Sequence, residues 1–382
     1  MHRVLALVCA AIFLDVSMFA ALGPLLPKLE QDLGISSSQA GFLVASYPLG
    51  YLFAVVLAAR LSIRFGVKAT TAVGLAFLAA TSIGFGLAEN YAVLVGTRFG
   101  QGVAGAVAWG GGLVWVINAS PPERRGAVLG IALSGASAGH LAGPVVGAVA
   151  ASAGRASSFL VVAALAVLLA LVAVRFRLPP PIGEQLLQLR LAVRSRDVRT
   201  AIWVITVPAA LFGALLTLGP LRLDALGAGP GAIAAAFVAA AAAGIFTRPL
   251  SGSWSDRSGR LRPIRVGLLA SVPTFVALSV VGGETAAIVI LVVAILLVNL
   301  SLAPAIALLS DVCEAAAVGQ VVAVAMLNLA WTPGMVAGSA GGGVGVDTIG
   351  HSPTYLILAL LALATVILLA RRSPSGAVTA VA

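Results

Sequence analysis

Apolar stretches of about 20 residues, separated by short polar or Pro/Gly clusters, recur along the whole chain. At roughly 1.5 Å per residue, such a stretch crosses a hydrocarbon core about 30 Å thick. The pattern predicts twelve spanning helices, over 4–26, 40–59, 69–88, 91–116, 126–153, 156–174, 200–221, 231–250, 264–282, 285–309, 318–341 and 353–370. Most connectors are very short. The exception, 175–199, carries Pro179, Pro180 and Pro181 and then Arg190, Arg194, Arg196 and Arg199. It separates a six-helix bundle over 1–174 from a second over 200–382. The predicted class is an all-α polytopic membrane protein.

Composition supports lipid as the solvent. Of 382 residues, 60% are hydrophobic and 9% charged, against about 25% charged in a soluble domain. The start of the chain superficially resembles a signal peptide. Its apolar run nevertheless contains Asp15 and continues to about Leu26, which is long for a signal core and reads as an uncleaved first helix.

A net charge of +10 would point to nucleic acid in a soluble protein. Here its distribution is a topology signal. With the N-terminus inside, nineteen of the 23 Lys and Arg residues fall on the cytoplasmic side, three (Lys28, Arg155, Arg222) fall outside, and Arg98 lies within a span. Both termini are therefore expected in the cytoplasm. Cys9 and Cys313 fall at or near that side, where a disulfide framework is not expected.

The halves echo each other. Ala59-Arg-Leu-Ser-Ile63-Arg64-Phe-Gly66-Val-Lys68 follows the second helix, and Gly252-Ser-Trp-Ser-Asp256-Arg257-Ser-Gly259-Arg260 follows the eighth, 193 residues later. The fourth helix carries Arg98-Phe-Gly-Gln101-Gly102-Val-Ala-Gly105. The fifth carries Gly135, then Gly139-His140-Leu-Ala-Gly143-Pro144-Val-Val-Gly147-Ala148. Small residues four apart let membrane helices approach closely, and Pro144 loosens the helix.

The loops resemble the signature loop of the major facilitator superfamily, Gly-x-x-x-Asp-Arg-x-Gly-Arg. The second copy matches at Gly252, Asp256, Arg257, Gly259 and Arg260. The first keeps Arg64, Gly66 and Lys68 but has Ala59 for the first glycine and Ile63 for the aspartate. In the family that aspartate helps latch the cytoplasmic side shut. The fifth helix resembles the motif of the drug:proton antiporter group, Gly-x-x-x-Gly-Pro-x-x-Gly-Gly, with Ala148 in the last place. The resemblance implies the major facilitator fold, two six-helix bundles rocking about a midplane site.

A charge at the bilayer centre costs about 2.5–3.5 kcal/mol on insertion scales, so such residues face cavities and find partners. Asp15 lies ~16 Å and Arg98 ~20 Å above the cytoplasmic end of their helices, so a pair is geometrically permitted. The carboxyl would be ionised while paired and protonated when the pair opens into an apolar site, a cycle that could load and release a proton. The alternative is a fixed ion pair locking helix one to helix four. His140 is a third candidate, since imidazole titrates at physiological pH.

The candidate cavity residues are Tyr47, Tyr51, Gln101, Thr206, Asn299, Asn328 and Trp331. Each has an ordinary alternative as an interhelical hydrogen bond or interface anchor. As a set they imply a mostly apolar cavity suited to amphipathic substrates.

Three functions compete. The first is proton-coupled efflux of amphipathic or drug-like molecules. The second is a nutrient, sugar or organic-anion carrier in which Arg98 contacts substrate. The third is a polytopic enzyme or receptor. No HExxH, paired CxxC or Walker loop occurs, and three histidines (His2, His140, His351) exclude a His-rich metal site. No cofactor or metal is expected, and no nucleic-acid partner. The expected partners are lipid, protons and a small-molecule substrate, for a monomer in the inner or plasma membrane.

Overall fold

The computed structural model describes residues 2–120, 125–176, 196–315 and 320–371, which are helical almost throughout. Residues 177–195, most of the arginine-rich central connector, lie outside the described residues, as does Arg124. The helices are α1 His2–Leu33, α4 Tyr91–Asn118, α5 Arg125–Ala153, α6 Arg155–Val174, α7 Arg196–Ala225, α8 Pro230–Ser258, α9 Leu261–Val280, α10 Glu284–Ala315, α11 Gln320–Ile349 and α12 His351–Ala370. Between α1 and α4 runs a 51-residue helical stretch, Ser37–Leu87, broken at Gly66 (φ 81°, ψ 155°). Its arms are α2, over 37–65, and α3, over 67–87.

Among the described residues, nine segments are long and apolar enough to cross a membrane. The other three, α4, α5 and α11, run 28, 29 and 30 residues, longer than the roughly 20 needed. Several helices outrun their apolar cores. The first was expected over 4–26 but continues through Pro24 and Pro27 to Leu33. A Lys28–Asp32 ion pair (2.7 Å) one turn apart supports that polar extension, and Gly34, at φ 60°, ends it.

The chain divides into two compact units: 1–35, 42–184 and 229–238 form one, and 36–41, 185–228 and 239–382 the other. In the first, α1 packs most closely against α5. A Cβ at Gly135, Gly139 or Gly143 would stand 2.5, 2.7 or 2.6 Å from the carbonyl oxygens of Cys9, Phe13 and Ser17, and one at Gly147 would collide with the Ala21 carbonyl. Glycines four apart on one helix thus lie on carbonyls four apart on the other. Lipid tails are as apolar as side chains, so association depends on such close dispersion contact.

The second unit repeats this arrangement with α7 and α11. Gly334 and Gly338 leave no room for a Cβ against the Thr206 and Ala210 carbonyls, and Gly213 lies reciprocally against the Met335 carbonyl (2.6 Å for an added Cβ). The signature loops also correspond: Gly66 and Gly259 both turn at positive φ (81° and 84°), a conformation that costs glycine little.

Gly147→Ala should lower stability by about 1–3 kcal/mol, because backbone cannot yield to the new methyl as a side chain can. Gly130→Ala, on the same helix with nothing within 4 Å, should be neutral or gain up to about 1 kcal/mol from helix propensity. Thermal unfolding of the two purified variants in detergent checks the contrast. Equal melting temperatures would contradict it.

Candidate functional site

Asp15, Tyr47, Arg98 and Gln101 come together inside the first unit. Asp15 is carried by α1, Tyr47 by α2, and Arg98 and Gln101 by one face of α4. All four are buried, with Arg98 1% exposed and Gln101 fully covered. The Tyr47 hydroxyl donates to Asp15 Oδ1. Gly105 borders the same carboxylate so closely that a Cβ there would collide with Oδ1 and stand 2.8 Å from the Tyr47 hydroxyl.

Arg98 and Asp15 meet through Tyr47. The guanidinium lies over the Tyr47 ring, 4.8 Å from its centroid, an attraction of about 2 kcal/mol when desolvated. Its hydrogen bonds go to the backbone carbonyls of Met18 (2.8 Å) and Phe19 (2.8 Å) on α1 and to Gln101 Oε1 (2.9 Å). Gln101 in turn donates to Ser82 Oγ at 3.4 Å. Helix carbonyls retain a second lone pair after their helical bond, so α1 can hold a cation with neutral acceptors. Arg98 Nε is buried without a partner. The permitted Asp15–Arg98 pair is thus realised as a phenol-bridged cluster, and Asp15 keeps one donor of its own.

His140 is half-buried on α5, with Nδ1 bonded to the Ala136 carbonyl at 2.8 Å. Its ring meets Phe19 edge-on at 6.5 Å, and Phe19 meets Tyr47 at 5.3 Å. One aromatic ring therefore separates the imidazole from the cluster. Tyr51 lies one turn beyond Tyr47 and within electrostatic reach of Asp15.

The remaining candidates lie in the second unit. Thr206 donates to the Ile202 and Ala330 carbonyls, both at 2.9 Å, tying α7 to α11. Asn299 donates to Ile295 of its own helix at 2.8 Å. Trp331 packs 6.0 Å from the Phe212 ring. Asn328 is half-buried on α11.

The signature loops differ in what they hold. Arg260 pairs with Asp256 and, at 2.7 Å, with Asp311 at the end of α10. In the first copy the exposed Arg64 lies over Phe65, 5.3 Å from its centroid, and Ile63 is exposed. Lys68 is half-buried and Arg257 exposed. Pro144 is buried among the α5 glycines that line α1. Sequence reasoning missed Asp311, although an acid at a helix end beside a basic loop was a usable signal. It also missed Phe19 and the Met18 carbonyl, for which no residue type could have served as a signal.

The comparisons with known proteins agree with this architecture. The chain is 31% identical to the tetracenomycin C resistance and export protein of Streptomyces glaucescens over 121 residues, 32% of this chain and 22% of that one. It is 24% identical to the riboflavin transporter RibZ of Clostridioides difficile over 183 residues, 48% of this chain and 40% of that one. The chain thus spans well under half the length of these curated relatives. A crystal structure of a bacterial homolog to the human lysosomal transporter Spinster, inward-facing and occupied, superposes with a TM-score of 0.75 at 16% identity, covering 97% of this chain and 98% of that one. The family model of the Major Facilitator Superfamily matches residues 8–327, and the chain belongs to that family.

Proposed function

We propose that this protein is a secondary transporter that exports amphipathic, drug-like molecules in exchange for protons, with Asp15 as the proton carrier. The observation that carries this reading is the division of partners in the first unit. Asp15 accepts from Tyr47, whereas Arg98 is bonded to carbonyls and an amide. A proton can therefore reach the carboxylate without first breaking a direct ion pair. Arg98, fixed by neutral acceptors, supplies a standing positive charge. With Asp15 ionised, the cluster is balanced and a lipophilic cation can approach the carboxylate. With Asp15 protonated, the guanidinium charge is uncompensated and a cation is repelled. Substrate and proton then compete for one carboxylate, which is the basis of exchange.

Tetracenomycin C export by the S. glaucescens relative and the antiporter-like glycines of α5 support this reading. Family membership removes the basis for the enzyme and receptor alternatives. The bacterial relatives support a plasma-membrane location, and a monomer is part of the same proposal. A second reading, a carrier of organic anions on Arg98, draws on the unpartnered Arg98 Nε and on the riboflavin transporter relative.

In inside-out vesicles under an imposed pH gradient, the wild type should accumulate a fluorescent lipophilic cation. Asp15→Asn should insert normally and lose that accumulation. Full-rate accumulation in the variant would overturn Asp15 as carrier. Uptake of anions alone would favour the Arg98 reading.

Gly105→Ala, which pushes a methyl into the carboxylate, should lower gradient-driven transport about tenfold or more, since displacing a charged hydrogen bond costs about 1.5–3 kcal/mol. Gly96→Ala, on the same helix with nothing within 4 Å, should transport as the wild type does. Indistinguishable rates in these two variants would argue against a tightly fitted carboxylate.

A further inference from the structure

We propose that the corner where α7, α9 and α12 meet in the second unit binds an oxyanion of the phosphate type. Two side chains fix the corner on the C-terminal end of α9. Arg222 of α7 donates to the Val281 carbonyl, and Ser352 of α12 donates to the Ser279 carbonyl. These bonds set Arg222 beside the first turn of α12. His351 and Tyr355, four residues apart, share one face of that turn. Helical side chains lean toward the N-terminus, so the Tyr355 phenol rises toward the corner. Arg222 is within electrostatic reach of both.

Three polar atoms in this corner are buried and unpartnered: Arg222 Nε, His351 Nδ1 and the Tyr355 hydroxyl. Tyr355 is wholly inaccessible, and a buried hydroxyl without a partner is costly unless something meets it. Arg222 Nε can only donate, and the phenol and imidazole can both donate as well. Gly350, the N-cap of α12, makes no side-chain cap bond. The N–H groups of His351 and Ser352 and the positive end of the helix dipole add to the same donor set, whereas Pro353 has no N–H and that of Thr354 donates to the Gly350 carbonyl. Asp224, the next acid along α7, lies two positions on, about 200° round the helix. A group offering only acceptors and negative charge fits this set.

The first half of the chain serves as an internal control. Gly154 and Arg155 open α6 as Gly350 and His351 open α12, 196 residues later, and Phe159 corresponds to Tyr355. There Arg155 bonds the Gly86 and Ala88 carbonyls, and Phe159 packs on Phe85 at 4.7 Å. The first corner is filled with hydrocarbon, whereas the corresponding ring of the second carries a buried hydroxyl. The oxyanion can come from a phospholipid headgroup or from free phosphate. The exposed Val280 and Leu356 alongside would lie against acyl chains, which favours the lipid.

The test uses full-length protein in detergent, melted and weighed by native mass spectrometry with phosphatidylglycerol, phosphatidylcholine or inorganic phosphate. The wild type should retain phosphatidylglycerol and melt higher with it. Tyr355→Phe restores the first half's own residue and should fold normally, yet bind about tenfold more weakly. Arg222→Lys, which keeps the charge but loses Nε, should also bind more weakly. The same contrast with inorganic phosphate alone would identify the free ion as the source. Retention by both lipids alike, with Tyr355→Phe equal to the wild type, would overturn the site. So would no response of the wild type to any of the three.

Discussion

In hydrocarbon no solvent squeezes helices together, and backbone polar groups must be satisfied within the protein. This molecule meets both conditions by bringing backbone against backbone. The carbonyls of Cys9, Phe13, Ser17 and Ala21 on α1 rest on glycines of α5, and those of Thr206 and Ala210 on α7 rest on Gly334 and Gly338 of α11. A side chain at any of these glycines would force the helices apart. Dispersion gained at this range, together with weak Cα–H···O contacts, replaces the hydrophobic drive that holds a soluble bundle.

The charged cluster depends on that approach. The helix that α5 holds by its backbone also presents the Met18 and Phe19 carbonyls to Arg98 and the Asp15 carboxylate to Tyr47. Leaving a guanidinium without acceptors at this depth would cost several kcal/mol. Moving α1 would therefore disturb packing, the charge and the carboxylate together. Gly105 follows the same logic on α4, since its missing side chain is the space that Asp15 occupies. Packing and electrostatics are coupled here because one helix serves both.

The number of helices, their order and the α5 packing face were legible because hydrophobic length and four-residue glycine spacing are one-dimensional signals. The proximity of Asp15 and Arg98 was legible for a similar reason, since depth along a helix can be counted. Its chemistry was not. That a phenol would stand between the two charges depends on the rotation of α2, which residue spacing alone does not fix. Tyr47 and Gln101 looked like cavity lining and prove to be partners of the charges. The glycines of α11 carried as clear a spacing as those of α5. Spacing within α11 does not say which helix those glycines meet, so the α7–α11 contact was not legible. The overrun of α1 past Pro24 and Pro27 was hidden because proline reads as a stop signal, although within tightly packed membrane helices it is tolerated.

The two halves share a frame but place their polar groups differently. At the 193-residue offset of the signature loops Phe13 corresponds to Thr206 and Asp15 to Pro208, which has neither charge nor N–H. In α10, the counterpart of α4, the buried polar side chains include Asn299 and Ser301, and each bonds a carbonyl of its own helix. The first unit thus holds a buried carboxylate and guanidinium, and no such pair stands at the equivalent places of the second. At the far end of the same repeat the order reverses. The first unit closes its corner with Phe85 and Phe159, while the second leaves Arg222, His351 and Tyr355 with unmet polar atoms. Backbone contacts that depend only on glycine and carbonyl tolerate this divergence, since they leave the other faces of each helix free to vary.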